Sequence, residues 1–161
     1  MTDSENAPAA SDRRRDLGLL SQLLGFRFRR IQNHLARGLA QSPDFDGGKP
    51  GELSILAILQ ANPGLSQVEL SDEVGLDTTM IVILIDDLEG RGFARRTRTA
   101  EDRRRNRLFI TPEGEGALDR WMGAARNNER AVRETLTDGE FQQLSELLDR
   151  IYDRCFNHVP K

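Results

Sequence analysis

Residues 66–114 read SQVELSDEVGLDTTMIVILIDDLEGRGFARRTRTAEDRRRNRLFITPEG, and the reading of this stretch decides the fold. Ser66-Gln-Val-Glu69 has the form of a capping box. The serine hydroxyl and the carboxylate three residues on satisfy each other's free backbone donors and start a helix. Leu70 and Val74 are spaced to face inward, small Ser71 lets a second helix cross closely, Gly75 ends the first helix and Asp77 caps the next. In that second helix Ile81, Leu84, Ile85 and Leu88 recur at i, i+3, i+4 and i+7, a stripe that predicts burial and leaves Thr78, Thr79, Val82, Ile83 and Asp86 outside. Gly90 and Gly92 close the helix, and the following residues suit two short antiparallel strands joined near Glu101 to Asn106.

This hairpin is charged. Between Arg91 and Arg107 stand eight arginines against Glu101 and Asp102, a local excess of positive charge in a chain whose formal net charge is −3. One face of an acidic protein is therefore suited to a polyanion. A hairpin after a helix-turn-helix is a wing. The order of helix-turn-helix, LEGRGFARR, EDRRRNRLFITPEG and long helices resembles the MarR family of winged-helix regulators, over roughly Leu17 to Phe156. The resemblance implies a homodimer whose two recognition helices enter successive major grooves of a palindromic operator while the wings reach into flanking minor grooves. By the same resemblance Asp102 orients Arg104, the side chain expected in the minor groove, and Arg103 and Arg105 are expected on phosphates.

Ser66, Gln67, Thr78, Thr79, Val82 and Ile83 complete the expected DNA-facing set. The threonines suit bonds to phosphate or base. Val82 and Ile83 stand where many members of the family carry polar residues. Either they read thymine methyls and local shape, or they pack on the protein and the register is shifted by one residue.

The rest of the chain reads as scaffold. Its 161 residues suit one compact domain of modest core. Residues 1–14 read as a disordered tail, 49–111 as the winged helix-turn-helix, and 15–48 with 112–158 as a helical dimerisation region. The expected fold is thus mainly α with a small β-hairpin wing. A first helix is expected from about Leu17 to Leu39, then a flexible loop from Pro43 to Gly48, then an apolar helix opened by Pro50 and closed by Pro63 and Gly64. Thr111-Pro112 opens a long helix and Thr137-Asp-Gly-Glu140 is a second capping box. Phe141, Leu144, Leu148, Ile151, Tyr152 and Cys155 line one side of the last helix, an apolar face that a second copy of the chain would cover.

For a sensed ligand, Arg30, His34 and Arg37 fall at i, i+4 and i+7, a basic stripe suited to a carboxylate or phosphate, with Trp121 offering a ring face. The alternative reading of the stripe is a solvated face pairing with acidic groups across the dimer. In the family small ligands, often aromatic acids, bind where these helices meet the winged region. The recognition helix also resembles that of members controlling aromatic-acid catabolism, including some that answer to hydroxycinnamoyl-CoA thioesters. Cys155, the single cysteine, excludes an intrachain disulfide, and its place on the apolar stripe favours a buried packing residue over a redox switch. His34 and His158 show no metal-ligand spacing. No phosphate loop, cofactor motif or nucleophile and base pair is present, so no enzyme, metal or cofactor is expected. With no membrane-length apolar run and no leader pattern, a cytoplasmic protein is expected. The reading is a ligand-responsive repressor, homodimeric on a palindromic operator and released by a small anionic effector. The alternative is a winged-helix protein-interaction module without DNA readout.

Overall fold

The computed structural model describes residues 16–98 and 106–157. The chain divides after His34 into two compact units, the second spanning residues 35–161. In the first, a 3₁₀ turn over Gly18–Gln22 precedes helix α1, Leu24–Ala40, whose later part belongs to the second unit. The helix begins later than the sequence suggested, because Leu23 takes an extended conformation between the turn and the helix.

The second unit is built in the order α2 (Glu52–Ala61), α3 (Gln67–Val74), α4 (Thr78–Gly90), β1 (Ala94–Arg98), β2 (Asn106–Ile110), α5 (Pro112–Arg133) and α6 (Asp138–Tyr152). The predicted stripe is its centre: Ile81, Leu84, Ile85 and Leu88 of α4 are buried with Leu70 of α3, Ile55, Leu56 and Leu59 of α2, Leu108 of β2 and Trp121 of α5. Each buried aliphatic side chain contributes about 1.5–3 kcal/mol relative to exposure.

Both capping boxes form as the sequence requires. Ser66 N–H donates to Glu69 Oε2 at 2.7 Å and Glu69 N–H to Ser66 Oγ at 3.3 Å; Thr137 and Glu140 repeat the arrangement. Hydrogen bonds from the Thr137 backbone, then from its hydroxyl, hold the Glu140 carboxyl below its usual range. Gly75 closes α3 at φ +71°, and Asp77 Oδ1 accepts from Met80 N–H at 3.0 Å to open α4. Ser71 explains the tightness of this turn: its hydroxyl donates to Leu76 O at 2.6 Å from a buried position between α3 and α4.

The two strands pair antiparallel with Ala94 opposite Ile110 and Arg98 opposite Asn106. The connection between α2 and α3 adds a third backbone to this hairpin: Leu108 N–H donates to Leu65 O and Gly64 N–H to Leu108 O, both at 2.9 Å. No periodicity announces a one-residue bridge, so nothing in the local pattern predicts it.

Three expectations are corrected. The segment from Pro43 to Gly48 is no open loop. It forms a turn over Pro43–Phe45 that buries Phe45 against Trp121 at a centroid distance of 4.9 Å. Helix α2 starts at Glu52 after a left-handed Gly51 rather than at Pro50. Helix α6 ends at Tyr152 and widens into a π turn over Asp153–Asn157, where Cys155 is exposed rather than packed. The rest of that apolar face is exposed among the described residues of its unit as well: Phe141, Leu144, Leu148 and Ile151.

Candidate nucleic-acid interface

Helix α4 presents the outer face the sequence predicts. Thr78, Thr79 and Asp86 are exposed, and Ile83 is 53% exposed, which removes it from the core. Val82 is half-buried and lies between the two earlier readings. Met80, which sequence reasoning did not single out, joins this face at 42% exposure. Ser66 and Gln67 are half-buried at the start of α3, and the Ser66 hydroxyl is engaged in its cap. Thr78 Oγ1 lies 3.5 Å from Ser71 Oγ, a weak contact that leaves the side chain available. Asp102, Arg103, Arg104 and Arg105 lie outside the described residues.

The arginines that are described divide by role. Arg95 is exposed on β1, its guanidinium 4.6 Å from the Phe109 ring centroid and donating to Thr97 Oγ1 at 2.7 Å. Arg96, one residue on and therefore on the other side of the strand, turns toward α4. Its Nη1 meets Asp86 Oδ1 at 2.6 Å and also Glu89 Oε2, and its backbone N–H donates to Glu89 Oε1 at 2.6 Å. Arg107 of β2 donates to Gly64 O at 3.1 Å and to Glu69 Oε2 at 3.3 Å, joining the wing to the start of α3.

Arg91 is internal too. It donates to Glu52 Oε2 at 3.1 Å, to Gly47 O at 2.9 Å and to Asp46 O at 3.0 Å, and its guanidinium lies 4.7 Å from the Phe93 ring centroid and 5.2 Å from that of Trp121. Glu52 is fully buried. Burial pushes its carboxyl up to about 7; the Lys49 N–H and Arg91 oppose the rise, and the neighbouring Asp87 adds to it. Asp87 moves the other way, held below its usual range chiefly by the Lys49 ammonium at 2.5 Å and then by Glu52. Burial and the neighbouring carboxylate thus favour the neutral form of Glu52 beside an ionised Asp87, with Lys49 and Arg91 as the nearby cations. Neither Glu52 nor Arg91 was legible as a structural pair, because they stand 39 residues apart.

Of the expected ligand residues, Arg30 and His34 are exposed in the first unit and Arg37 is exposed at the end of α1. Trp121 is 1% exposed, with Phe45, Phe93 and Arg91 around its ring, so it serves here as a core residue and offers no open face. Among the described residues no group of acidic, histidine and cysteine side chains is arranged to hold a metal ion, and no helix is long and apolar enough to cross a membrane.

The family profile named MarR matches residues 49–105, from just before α2 to beyond β1. The transcriptional regulatory protein assigned to the hcr operon of Thauera aromatica, itself described as putative, is 35% identical over 136 residues, covering 84% of this chain and 82% of that one. The chain belongs to the MarR family. Its structural relatives agree: a transcriptional repressor, CouR, solved on a 23-mer DNA duplex, superposes with a TM-score of 0.73 at 31% identity, covering 85% of this chain and 97% of that one. PcaV from Streptomyces coelicolor, solved with its natural ligand, gives 0.71 at 26% identity, with 83% and 94% covered. This MarR-family chain is thus a winged-helix, DNA-binding transcriptional regulator.

Proposed function

We propose that the protein is a ligand-responsive repressor that binds a palindromic operator as a homodimer, with α4 in the major groove and the wing arginines, Arg104 foremost, at the minor groove. The observation that carries this reading is the 31% identity and near-complete overlap with a repressor bound to duplex DNA, combined with an α4 face whose outer residues are free to meet bases. Apolar Ile83 and Met80 suit thymine methyls, and Thr79 suits a phosphate or base edge. The exposed apolar faces of α6 and of the first unit support a dimer that buries them, with the N- and C-terminal helices as the dimerisation region.

For the effector, the same repressor has been solved with p-coumaroyl-CoA, at 30% identity to this chain. Arg30, His34 and Arg37 suit the carboxylate of an aromatic acid or the phosphates of its CoA thioester. Effector binding would favour a spacing of the two reading heads that no longer matches the operator, releasing a promoter that bound protein blocks.

The test combines two measurements. Duplex selection from a random pool should return a palindrome whose affinity falls steeply with salt, since phosphate contacts release counterions. Thermal-shift titration with aromatic acids and their CoA thioesters should then identify the ligand, which at about 100 times its dissociation constant stabilises by about 2.7 kcal/mol. The exposed apolar Val68, Met80 and Ile83 favour the protein-interaction module as a second reading. Binding to duplex DNA that is feeble and insensitive to salt would select it.

A further inference from the structure

Two opposed residues of the wing, Arg96 and Leu108, hold the hairpin from both edges. Leu108 directs its backbone groups away from β1, to Leu65 and Gly64, so Arg96 and Leu108 form a pair that exchanges no hydrogen bond with each other. The Arg96 N–H accordingly points away from β2 as well, and it is met by Glu89 Oε1 at 2.6 Å. The guanidinium then folds onto the same carboxylate and onto Asp86 Oδ1 at 2.6 Å. Main chain and side chain of a single strand residue are thus fixed to two carboxylates one turn apart on α4. Asp86 belongs to the face that carries Thr79, Val82 and Ile83, where a bare carboxylate would repel phosphate.

We propose that Arg96 is a positioning residue for DNA reading: through Glu89 and Asp86 it fixes the wing relative to the recognition helix and makes no phosphate contact of its own. The proposal rests on the DNA-binding reading above. The side chain is 20% exposed and its charge faces two anions, both carboxylates meeting the same guanidinium nitrogen, Nη1. Exposed Arg95, by contrast, has no carboxylate partner among the contacts described and remains available to phosphate.

The proposal makes a prediction of unusual sign. Removing a carboxylate from a DNA-facing helix ordinarily strengthens binding, because it removes repulsion from phosphate. Here Glu89→Ala should weaken it. The experiment is a double-mutant cycle of Glu89→Ala and Arg96→Ala on the full chain. Its probes are a duplex selected by the wild-type protein from a random pool and a shuffled duplex of equal length. Each single variant should lose about tenfold on the selected duplex and much less on the shuffled one, and the double variant should lose no more than either single. A purely structural defect lowers the melting temperature but leaves the ratio of the two affinities unchanged in the folded protein, and that result overturns the proposal. So does Glu89→Ala binding the selected duplex as well as or better than wild type, or losses that multiply in the double variant, which make Arg96 an independent DNA contact. Should Arg96→Ala lose its helical circular-dichroism signal, Arg96→Gln takes its place in the cycle. It keeps part of the stem and removes the charge that meets both carboxylates, so wild-type selectivity overturns the proposal and lost selectivity supports it. A wild-type protein that enriches no duplex sinks the DNA reading and the proposal with it, an outcome distinct from all of these.

Discussion

Glu52 and Arg91 show how single residues set the conditions under which this chain is stable. The Glu52 carboxyl sits at about 7 in the folded protein because burial disfavours its charge, against an ordinary value of 4.5 in the unfolded chain. The folded state therefore binds the extra proton between these values. The stabilisation is complete below the unfolded value and is lost as pH rises through about 7, an effect on the order of 3 kcal/mol. Asp87, held low by Lys49, acts oppositely and only in acid, losing its contribution as pH falls through its depressed value. The melting temperature of the wild-type protein should thus decline between about pH 5 and pH 8, and Glu52→Gln, isosteric and uncharged, should flatten that slope. A parallel slope in both proteins would place the proton elsewhere. Arg91→Ala leaves the ionised Glu52 without its guanidinium and frees the carbonyls of Asp46 and Gly47, so it should cost about 3–5 kcal/mol at pH 8. At pH 5 the cost should be smaller, because protonated Glu52 needs no cation; urea unfolding at the two pH values measures the difference.

Between elements, two glycines mark places with no room for a side chain. A Cβ on Gly114 would lie 2.0 Å from the Phe93 carbonyl oxygen, which is backbone and does not move aside. This is where α5 starts against the entry to β1. Thr111 fixes the same junction by donating to Gly92 O at 2.6 Å and capping Gly114 N–H at 3.0 Å. Gly114→Ala should therefore destabilise by about 1–3 kcal/mol or more, read as a lowered melting temperature, despite the better helix propensity of alanine. Gly38 near the end of α1 is different. The atom in the way there, 2.1 Å from a built Cβ, is the Asn128 side-chain oxygen, whose amide nitrogen donates to Leu35 O at 2.7 Å across to α5. Gly38→Ala should be tolerated far better in an Asn128→Ala background than alone, and non-additive thermal shifts in that cycle would show it.

For the whole molecule, the apolar surface left by the fold is the clue to assembly. Leu144, Leu148 and Ile151 lie exposed along α6, alongside a hollow lined by Leu147, Arg150, Arg154 and Cys155. A charge placed there, as in Leu148→Glu, should give a folded monomer by analytical ultracentrifugation that binds the selected duplex far more weakly, because two reading heads on one palindrome depend on the dimer. A variant that still sediments as a dimer would move the interface elsewhere.

The sequence by itself determined the order and ends of the elements around the helix-turn-helix, because caps, glycines and the buried stripe of α4 act within a few residues of one another. Ser66, Glu69, Gly75, Asp77 and Thr137 all stand where their local chemistry requires. It also determined that the wing is basic, and the family likeness that follows from its motifs. What it left undecided is which arginines are free. Arg91, Arg96 and Arg107 read from sequence as members of one cationic run, yet each meets a carboxylate that the chain brings from another element: Glu52, Glu89 and Asp86, and Glu69. The same holds for Trp121, expected as a ring face for a ligand and instead packed against Phe45. Only tertiary structure decides such matters. A charge or a ring has no fixed role until folding sets its neighbours, and those neighbours come from distant positions that no local pattern connects.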